Sequence, residues 1–112
     1  MGLFGGVSGK QIDEFAASLA EGLTKRYPPV LEKSAETKMS VNRITKVLED
    51  TFEKAVEFHR ANKLNVYKKA RLGNSFKWEL KNRGYSNSFI DLATEGLIVH
   101  ITREPKSASG AR

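Results

Sequence analysis

The chain has 112 residues, no cysteine and a formal net charge of +6. This length fits one domain, and the lack of cysteine excludes disulfides, thiolate zinc sites and cysteine nucleophiles. No apolar run approaches the ~20 residues of a membrane span and the start has no signal-peptide pattern, so we expect no membrane partner and a cytoplasmic location.

The last residues of the chain are small and polar. We expect a flexible leader over residues 1–7, a single helical domain over residues 8–103 and a disordered tail over residues 104–112. Hydrophobic residues make up 39% of the chain and charged residues 29%, which is typical of a folded, strongly charged domain.

The first predicted helix begins after Ser8 and ends near Arg26. Ser8 is a good N-cap, and Gln11 three positions later completes a capping box. Apolar residues then recur at helical spacing. Pro28 disfavours helical geometry at the preceding residue, so the sequence predicts extended backbone over residues 27–30 and a polar connector through residue 38.

The second predicted helix runs from Ser40 to Asn62. Ser40 is a favourable N-cap, and Met39 and Ile44 stand at the two positions of a hydrophobic staple. The apolar residues that follow lie on or beside one stripe, as expected for an amphipathic helix.

The third predicted helix begins near Asn65 and ends at Gly84. Glycine suits the left-handed position after a helix, and Leu80 and Tyr85 occupy the two places that touch in a Schellman closure. Residues 73–75 begin with glycine, which is unfavourable inside a helix, and end with serine, which can cap a new one. A kink or split of the helix is therefore an open alternative.

The fourth predicted element begins within residues 86–88 and carries apolar residues at helical spacing. Residues 97–101 also suit a strand, but the sequence offers no second convincing strand, so we prefer a helix and keep strand pairing across a dimer as the alternative. The four elements together predict an all-α fold, a compact bundle of about four helices with flexible termini.

Residues 63–83, here called the basic segment, carry the whole net charge. They contain seven basic residues and one acid, for a net charge of +6, and the rest of the chain sums to zero. Concentrated positive charge favours anionic partners, so the expected partner is nucleic acid or an acidic protein.

One face of the third predicted helix combines cations, an amide and aromatic rings. The residues of this face, here called the mixed stripe, recur at spacings of three and four. Cations neutralise phosphates and aromatic rings stack bases, so the pattern suits single-stranded nucleic acid or RNA. The mixed stripe comprises Tyr67, Arg71, Asn74, Trp78 and Lys81. With the neighbouring cations, the candidate nucleic-acid-binding residues are Tyr67, Lys68, Lys69, Arg71, Asn74, Lys77, Trp78, Lys81 and Arg83.

Two observations oppose this interpretation. Tyrosine and tryptophan are costly to leave exposed, so the simpler expectation places Tyr67 and Trp78 mainly in the core or in an interface. The second predicted helix is also acidic in its middle, and packing beside the basic segment would partly neutralise it. The acids concerned are Glu49, Asp50, Glu53 and Glu57.

A helix-turn-helix over residues 76–95 is a further interpretation, with Gly84 as the turn glycine and Ile90 buried. The would-be recognition helix carries Asp91 and Glu95 and no base, which is wrong for a groove lined by phosphates. We therefore expect this arrangement as packing geometry rather than as a DNA reader.

The sequence contains no recognisable catalytic or nucleotide-binding motif. His59 and His100 lack a ligand or triad partner at a known spacing, and His59 is better explained as a partner of a helix C-terminal dipole. The glutamates of the second helix are better explained as a solvated face than as a metal stripe. We expect no catalytic residue, no metal and no cofactor.

The leading hypothesis is a non-enzymatic binding domain that contacts nucleic acid or another polyanion through its basic third helix. The alternative is a protein-interaction or homodimerisation module that uses Tyr67, Trp78 and the apolar residues 97–101. A catalytic pocket that gathers a histidine with the second-helix acids is the third hypothesis.

Overall fold

The computed structural model describes residues 6–33 and 40–109, with side chains described through residue 103. The described residues form five helices and no strand, which confirms the all-α prediction and excludes a strand over residues 97–101. The helices are α1 (Gly9–Arg26), α2 (Pro29–Lys33), α3 (Val41–Asn62), α4 (Val66–Arg83) and α5 (Asn87–Ser109).

Local side chains start three of the long helices as the sequence predicts. Ser8 and Gln11 form a reciprocal capping box at α1. The Ser40 side chain accepts the Arg43 N–H at 3.2 Å, and the Asn65 side chain accepts the Lys68 N–H at 2.8 Å. Each cap satisfies a backbone donor that the first turn leaves without a partner.

The turn between α4 and α5 is the predicted Schellman closure. Gly84 has a φ of 100°, and the Tyr85 N–H donates to the Leu80 carbonyl at 3.3 Å. The Ser86 hydroxyl then caps α5 by accepting the Phe89 N–H at 3.2 Å. Only glycine adopts this left-handed geometry without strain, which explains where α4 ends.

The backbone prediction around the proline pair is wrong. The backbone after residue 28 is helical rather than extended, because proline fits the first position of a helix and Pro29 begins α2. Val7, assigned to the flexible leader, is buried in the core. Helix α4 runs without a break through Gly73, so the alternative of a split is excluded.

Four predictions fall wholly or partly outside the described residues. They concern Met39 in the hydrophobic staple, most of the connector after α2, and the outer ends of the leader and of the tail.

The four long helices form a ring in which each packs mainly against two others. Helix α1 packs against α3 and α4, and α5 packs against the same two helices. The order around the bundle is therefore α1, α4, α5 and α3. Helices α3 and α4 lie on a diagonal, so they share no long packing face.

Contacts at both ends show that α1 and α4 run in the same direction. Asp13 near the start of α1 bonds to Arg71 near the start of α4, while Thr24 near the end of α1 contacts Tyr85 just after α4. The end of α1 therefore lies level with the end of α4.

Helices α1 and α3 run in opposite directions. The rings of Phe15 and Phe58 stack with centroids 3.9 Å apart, and Arg26 bonds to Asp50 at the other end of the pair. This pairing brings the end of α1 beside the beginning of α3.

Two glycines allow α5 to pack closely on its neighbours. A Cβ atom on Gly73 would stand 2.5 Å from the Ile98 Cδ1, and one on Gly96 would stand 2.5 Å from the Phe52 Cζ. Real side chains do not approach so closely, so both crossings depend on the missing Cβ.

The turn after α4 is tied to α2 and to the end of α1. The Tyr85 hydroxyl donates to the Tyr27 carbonyl, and the Tyr27, Tyr85 and Phe89 rings pack together. The Glu32 carboxylate accepts hydrogen bonds from the Ser86 N–H and hydroxyl. The short α2 therefore has a specific place against the α4–α5 turn.

Candidate nucleic-acid interface

The core face of α4 determines where the mixed stripe points. Leu72, Phe76 and Leu80 are fully buried against α1 and α5. The mixed stripe lies opposite them on the helical wheel and faces solvent. Tyr67 is 73% exposed and Trp78 is 53% exposed, so the expectation that these rings belong to the core is wrong.

The structure sorts the predicted site residues into two groups. All five members of the mixed stripe are exposed, and Lys77 is exposed beside them. Lys68, Lys69 and Arg83 are half-buried and lie off this face. The structure thus brings six of the nine predicted residues together and separates the other three.

Arg71 is engaged within the chain. Its Nε and Nη2 groups donate to the two carboxylate oxygens of Asp13 at 3.1 and 2.8 Å. Ser75 donates to the same carboxylate at 2.6 Å. These hydrogen bonds, first from Arg71 and then from Ser75, hold the pKa of Asp13 below its usual value of 3.8.

The Arg71 side chain can lie against α1 because Gly9 has no Cβ atom. A Cβ atom at Gly9 would stand 2.8 Å from the guanidinium carbon of Arg71. The guanidinium therefore lies flat against the start of α1 and presents only part of its donors to solvent. Neither Gly9 nor Asp13 was among the predicted site residues, since only the packing of α1 beside α4 reveals the contact.

A surface cleft adjoins this ion pair. It measures about 470 Å³ and lies between the first half of α4 and α1. Tyr67 and Asn74 line it together with Asp13, Ala70, Arg71 and Ser75. An aromatic ring and an amide beside a cation can stack on a base and hydrogen-bond to its edge.

The far end of the mixed stripe carries a cation above a ring. The Lys81 Nζ lies 5.2 Å from the centroid of the Trp78 ring, within the range of a cation–π contact. Arg83 instead pairs with Glu79 along the same helix at 3.3 Å. Lys81 and Trp78 therefore form one unit, and Arg83 belongs to another face.

Helix α3, which carries the acids considered for masking, shares no long packing face with α4. Helices α3 and α4 lie on a diagonal, and Asp50 pairs with Arg26 and Lys46 instead of the basic segment. Glu49, Glu53 and Glu57 line a different cleft with Arg60 and His100. Among the described residues, Asp13 of α1 pairs with Arg71 and so neutralises part of the mixed stripe.

The two histidines differ in their surroundings, and His100 lines one cleft with three of the α3 acids, which is the arrangement that the third hypothesis requires. His59 is buried near the end of α3, and its Nδ1 accepts the Leu64 N–H at 3.1 Å. The His100 Nδ1 donates to the Gly96 carbonyl at 2.8 Å. Within the described part of the chain, no group of three histidine or acidic residues is placed to hold a metal ion.

The apolar run named in the dimer hypothesis is mostly internal. Leu97 and Ile101 are fully buried in the chain's own core, and Ile98 is half-buried against Gly73. Only Val99 and His100 of residues 97–101 are exposed. An interface on this side would therefore have to rely on other residues.

The helix-turn-helix geometry has the predicted burial pattern. Ile90 is buried, and Asp91 and Glu95 are exposed on α5. Acidic side chains thus occupy the surface that a recognition helix would turn toward phosphates.

Comparisons of this chain with models of known protein families, with curated proteins and with solved structures found no match. Among the helices of the described residues, none has the length and apolar character needed to cross a membrane.

Proposed function

We propose that this chain is a non-enzymatic binding module that contacts single-stranded nucleic acid through the mixed stripe of α4. The observation that carries the proposal is the exposure of Tyr67 and Trp78, at 73% and 53%, on a face that also holds cations. Tyrosine and tryptophan are enriched at interfaces, and exposed rings beside cations are typical of surfaces that bind single-stranded nucleic acid.

The chemistry of this face favours a single strand over a duplex. Exposed rings can stack on bases only where those bases are not already stacked in a helix. Lys77 and Lys81 lie beside the rings and can neutralise phosphates without first breaking an ion pair to an acid of the described residues. Tyr67 and Lys81 stand 14 positions apart, which is roughly 21 Å along α4 and leaves room for several nucleotides.

A salt-dependent titration tests the proposal. We expect a labelled oligouridylate to bind more tightly than duplex DNA of equal length, with affinity that falls as salt rises. Trp78 is the only tryptophan, so stacking of a base on it should quench the intrinsic fluorescence of the protein. No detectable binding of either nucleic acid at low salt would refute the proposal.

Substitutions separate stacking from charge. Trp78→Ala and Tyr67→Ala should each weaken oligouridylate binding by about 5–150-fold, which corresponds to ~1–3 kcal/mol per stacked base. Lys77→Gln should instead reduce the slope of log affinity against log salt by about 0.7. The matched control is Lys54→Gln, because Lys54 is exposed on α3 and lies away from the mixed stripe. Equal effects of Lys54→Gln and Lys77→Gln would show non-specific charge attraction.

A homodimer is the second candidate, since the same exposed rings would suit an interface core. Light scattering behind gel filtration distinguishes the two. A dimer whose formation is abolished by Trp78→Ala would favour it, whereas a concentration-independent monomer would leave the rings available to nucleic acid.

A further inference from the structure

We propose that the cleft between the end of α1 and the beginning of α3, here called the α1–α3 cleft, binds phosphate groups. It measures about 410 Å³ and is lined by Lys25, Arg26, Asn42, Arg43, Lys46 and Val47. All of these residues lie outside the basic segment, so the inference stands independently of the function proposed for α4.

The α1–α3 cleft gathers four cations from two helices. Lys25 and Arg26 end α1, and Arg43 and Lys46 lie in the first two turns of α3. Acids elsewhere in the chain bring the sequence outside the basic segment to zero net charge, which hides this cluster. The antiparallel packing of α1 and α3 concentrates the cations at one end of the bundle.

Within residues 6–33 and 40–103, the cations of the cleft outnumber the acids that pair with them. Asp50 is shared by Arg26 at 2.8 Å and Lys46 at 3.2 Å. Lys25 pairs with Glu21 at 3.9 Å, and both side chains are more than half exposed, so the pair is weak. Arg43 makes no ion pair with any described residue. Among the described residues, these four positive charges thus pair with two carboxylates.

Asp50 also arranges the cations. One of its oxygens accepts from Arg26 and the other lies beside Lys46, so a single carboxylate holds a side chain from each helix. Asp50 does not line the cleft itself, whereas both of its partners do. The buried Val47 side chain supplies an apolar surface beside them.

This arrangement suits a multiply charged anion. A phosphate group offers three or four acceptor oxygens, and a guanidinium with free donors can bind two of them at once. Arg43 is the group with such donors, while Lys25 and Lys46 act as point charges on either side. The amide of Asn42 adds a neutral donor.

The test uses the full isotope-labelled chain and inorganic tripolyphosphate at low salt. We expect amide NMR signals of residues 25–26 and 42–47 to shift in a saturable manner, while signals of the mixed stripe stay in place. Arg43→Gln should weaken the affinity by about tenfold, equivalent to ~1.4 kcal/mol, without disturbing Asp50. The combination with Lys46→Gln should weaken it further.

Lys10→Gln is the matched control, because Lys10 is an exposed lysine at the opposite end of α1. It should leave tripolyphosphate binding unchanged. The absence of saturable shifts at low salt, or an equal effect of Lys10→Gln and Arg43→Gln, would overturn the proposal. Circular dichroism of each variant checks that the helices are intact.

Two further ligands identify the source of the phosphate. If terminal phosphates are bound, uridine monophosphate should shift the same amides and an oligouridylate without terminal phosphate should not. If backbone phosphates are bound, the oligouridylate should shift them. Trp78→Ala separates the two proposals, because it should weaken oligouridylate binding to the mixed stripe and leave tripolyphosphate binding intact.

Discussion

The Asp13 carboxylate accepts two hydrogen bonds from Arg71, at 3.1 and 2.8 Å, and thereby joins α1 to α4. The same contact neutralises one cation of the mixed stripe. Asp13 therefore stabilises the fold and also competes with the anion that we propose as ligand. Substitution of Asp13 can separate its effect on stability from its effect on binding.

Asp13→Asn should lower stability and strengthen nucleic-acid binding. The substitution removes the ion pair with Arg71 and one negative charge beside the stripe. We expect a Tm lower by a few degrees, since the pair is partly exposed, and tighter oligouridylate binding with a salt slope steeper by about 0.7. Thermal unfolding and the salt titration measure the two effects. Weaker binding would show that the Asp13–Arg71 pair positions the site rather than masking it.

The same pair predicts a pH dependence. Hydrogen bonds from Arg71 and then Ser75 hold the pKa of Asp13 below 3.8, so folding favours its charged form. Its stabilising contribution is complete above the unfolded-state pKa and is lost as pH falls through the lowered pKa. The Tm difference between the wild type and Asp13→Asn should therefore be constant near neutral pH and shrink below about pH 4. A difference that persists in acid would contradict this assignment.

Gly96→Ala should destabilise the bundle although alanine is the better helix former. The new Cβ would stand 2.5 Å from the buried Phe52 ring, and overpacking of this kind costs about 1–3 kcal/mol. The matched control is Gly22→Ala in α1, where a Cβ meets nothing within 4 Å. That substitution should stabilise by about 0.5–1 kcal/mol. Chemical denaturation of both variants checks the opposite signs, and stabilisation by both would refute close packing of α5 on α3.

Tyr85→Phe should destabilise by about 1 kcal/mol, because it removes the hydrogen bond to the Tyr27 carbonyl and keeps the ring. Burial is the main cause that raises the pKa of Tyr85 above 10.0, so folding favours the neutral phenol. The stabilisation that comes from burying the neutral phenol is complete below the unfolded-state pKa. It is lost as pH rises through the raised pKa of the folded state. Unfolding measured from neutral to alkaline pH should show a smaller alkaline loss in Tyr85→Phe than in the wild type. Identical alkaline profiles would contradict the buried position of the hydroxyl.

Leu97→Ala and Val99→Ala should differ sharply although they lie two residues apart on α5. Leu97 is fully buried and its truncation should cost about 2–5 kcal/mol, whereas Val99 is exposed and its truncation should change stability by less than about 0.5 kcal/mol. Denaturant unfolding measures both changes. A large loss for Val99→Ala that depends on protein concentration would instead indicate an interface between copies of the chain.

Local residues were sufficient to predict the long helices. Ser8, Ser40 and Asn65 each accept a backbone N–H three residues along the chain, and Gly84 closes α4 through bonds that span a single turn. These interactions involve neighbours in sequence, so they can be inferred without knowing the packing. The short α2 was missed because a proline pair suggests an extended segment as readily as a helix start.

The sequence by itself determined the caps, the apolar faces and the concentration of net charge in the basic segment. Only the tertiary structure decided which helices are neighbours, and that order exposes Tyr67 and Trp78, pairs Arg71 with Asp13 and keeps the α3 acids away from α4. The same order gathers the cations of the α1–α3 cleft. The physical reason is that periodicity shows which face of a helix is buried, whereas ion pairs and clefts depend on side chains brought together from distant positions in the chain.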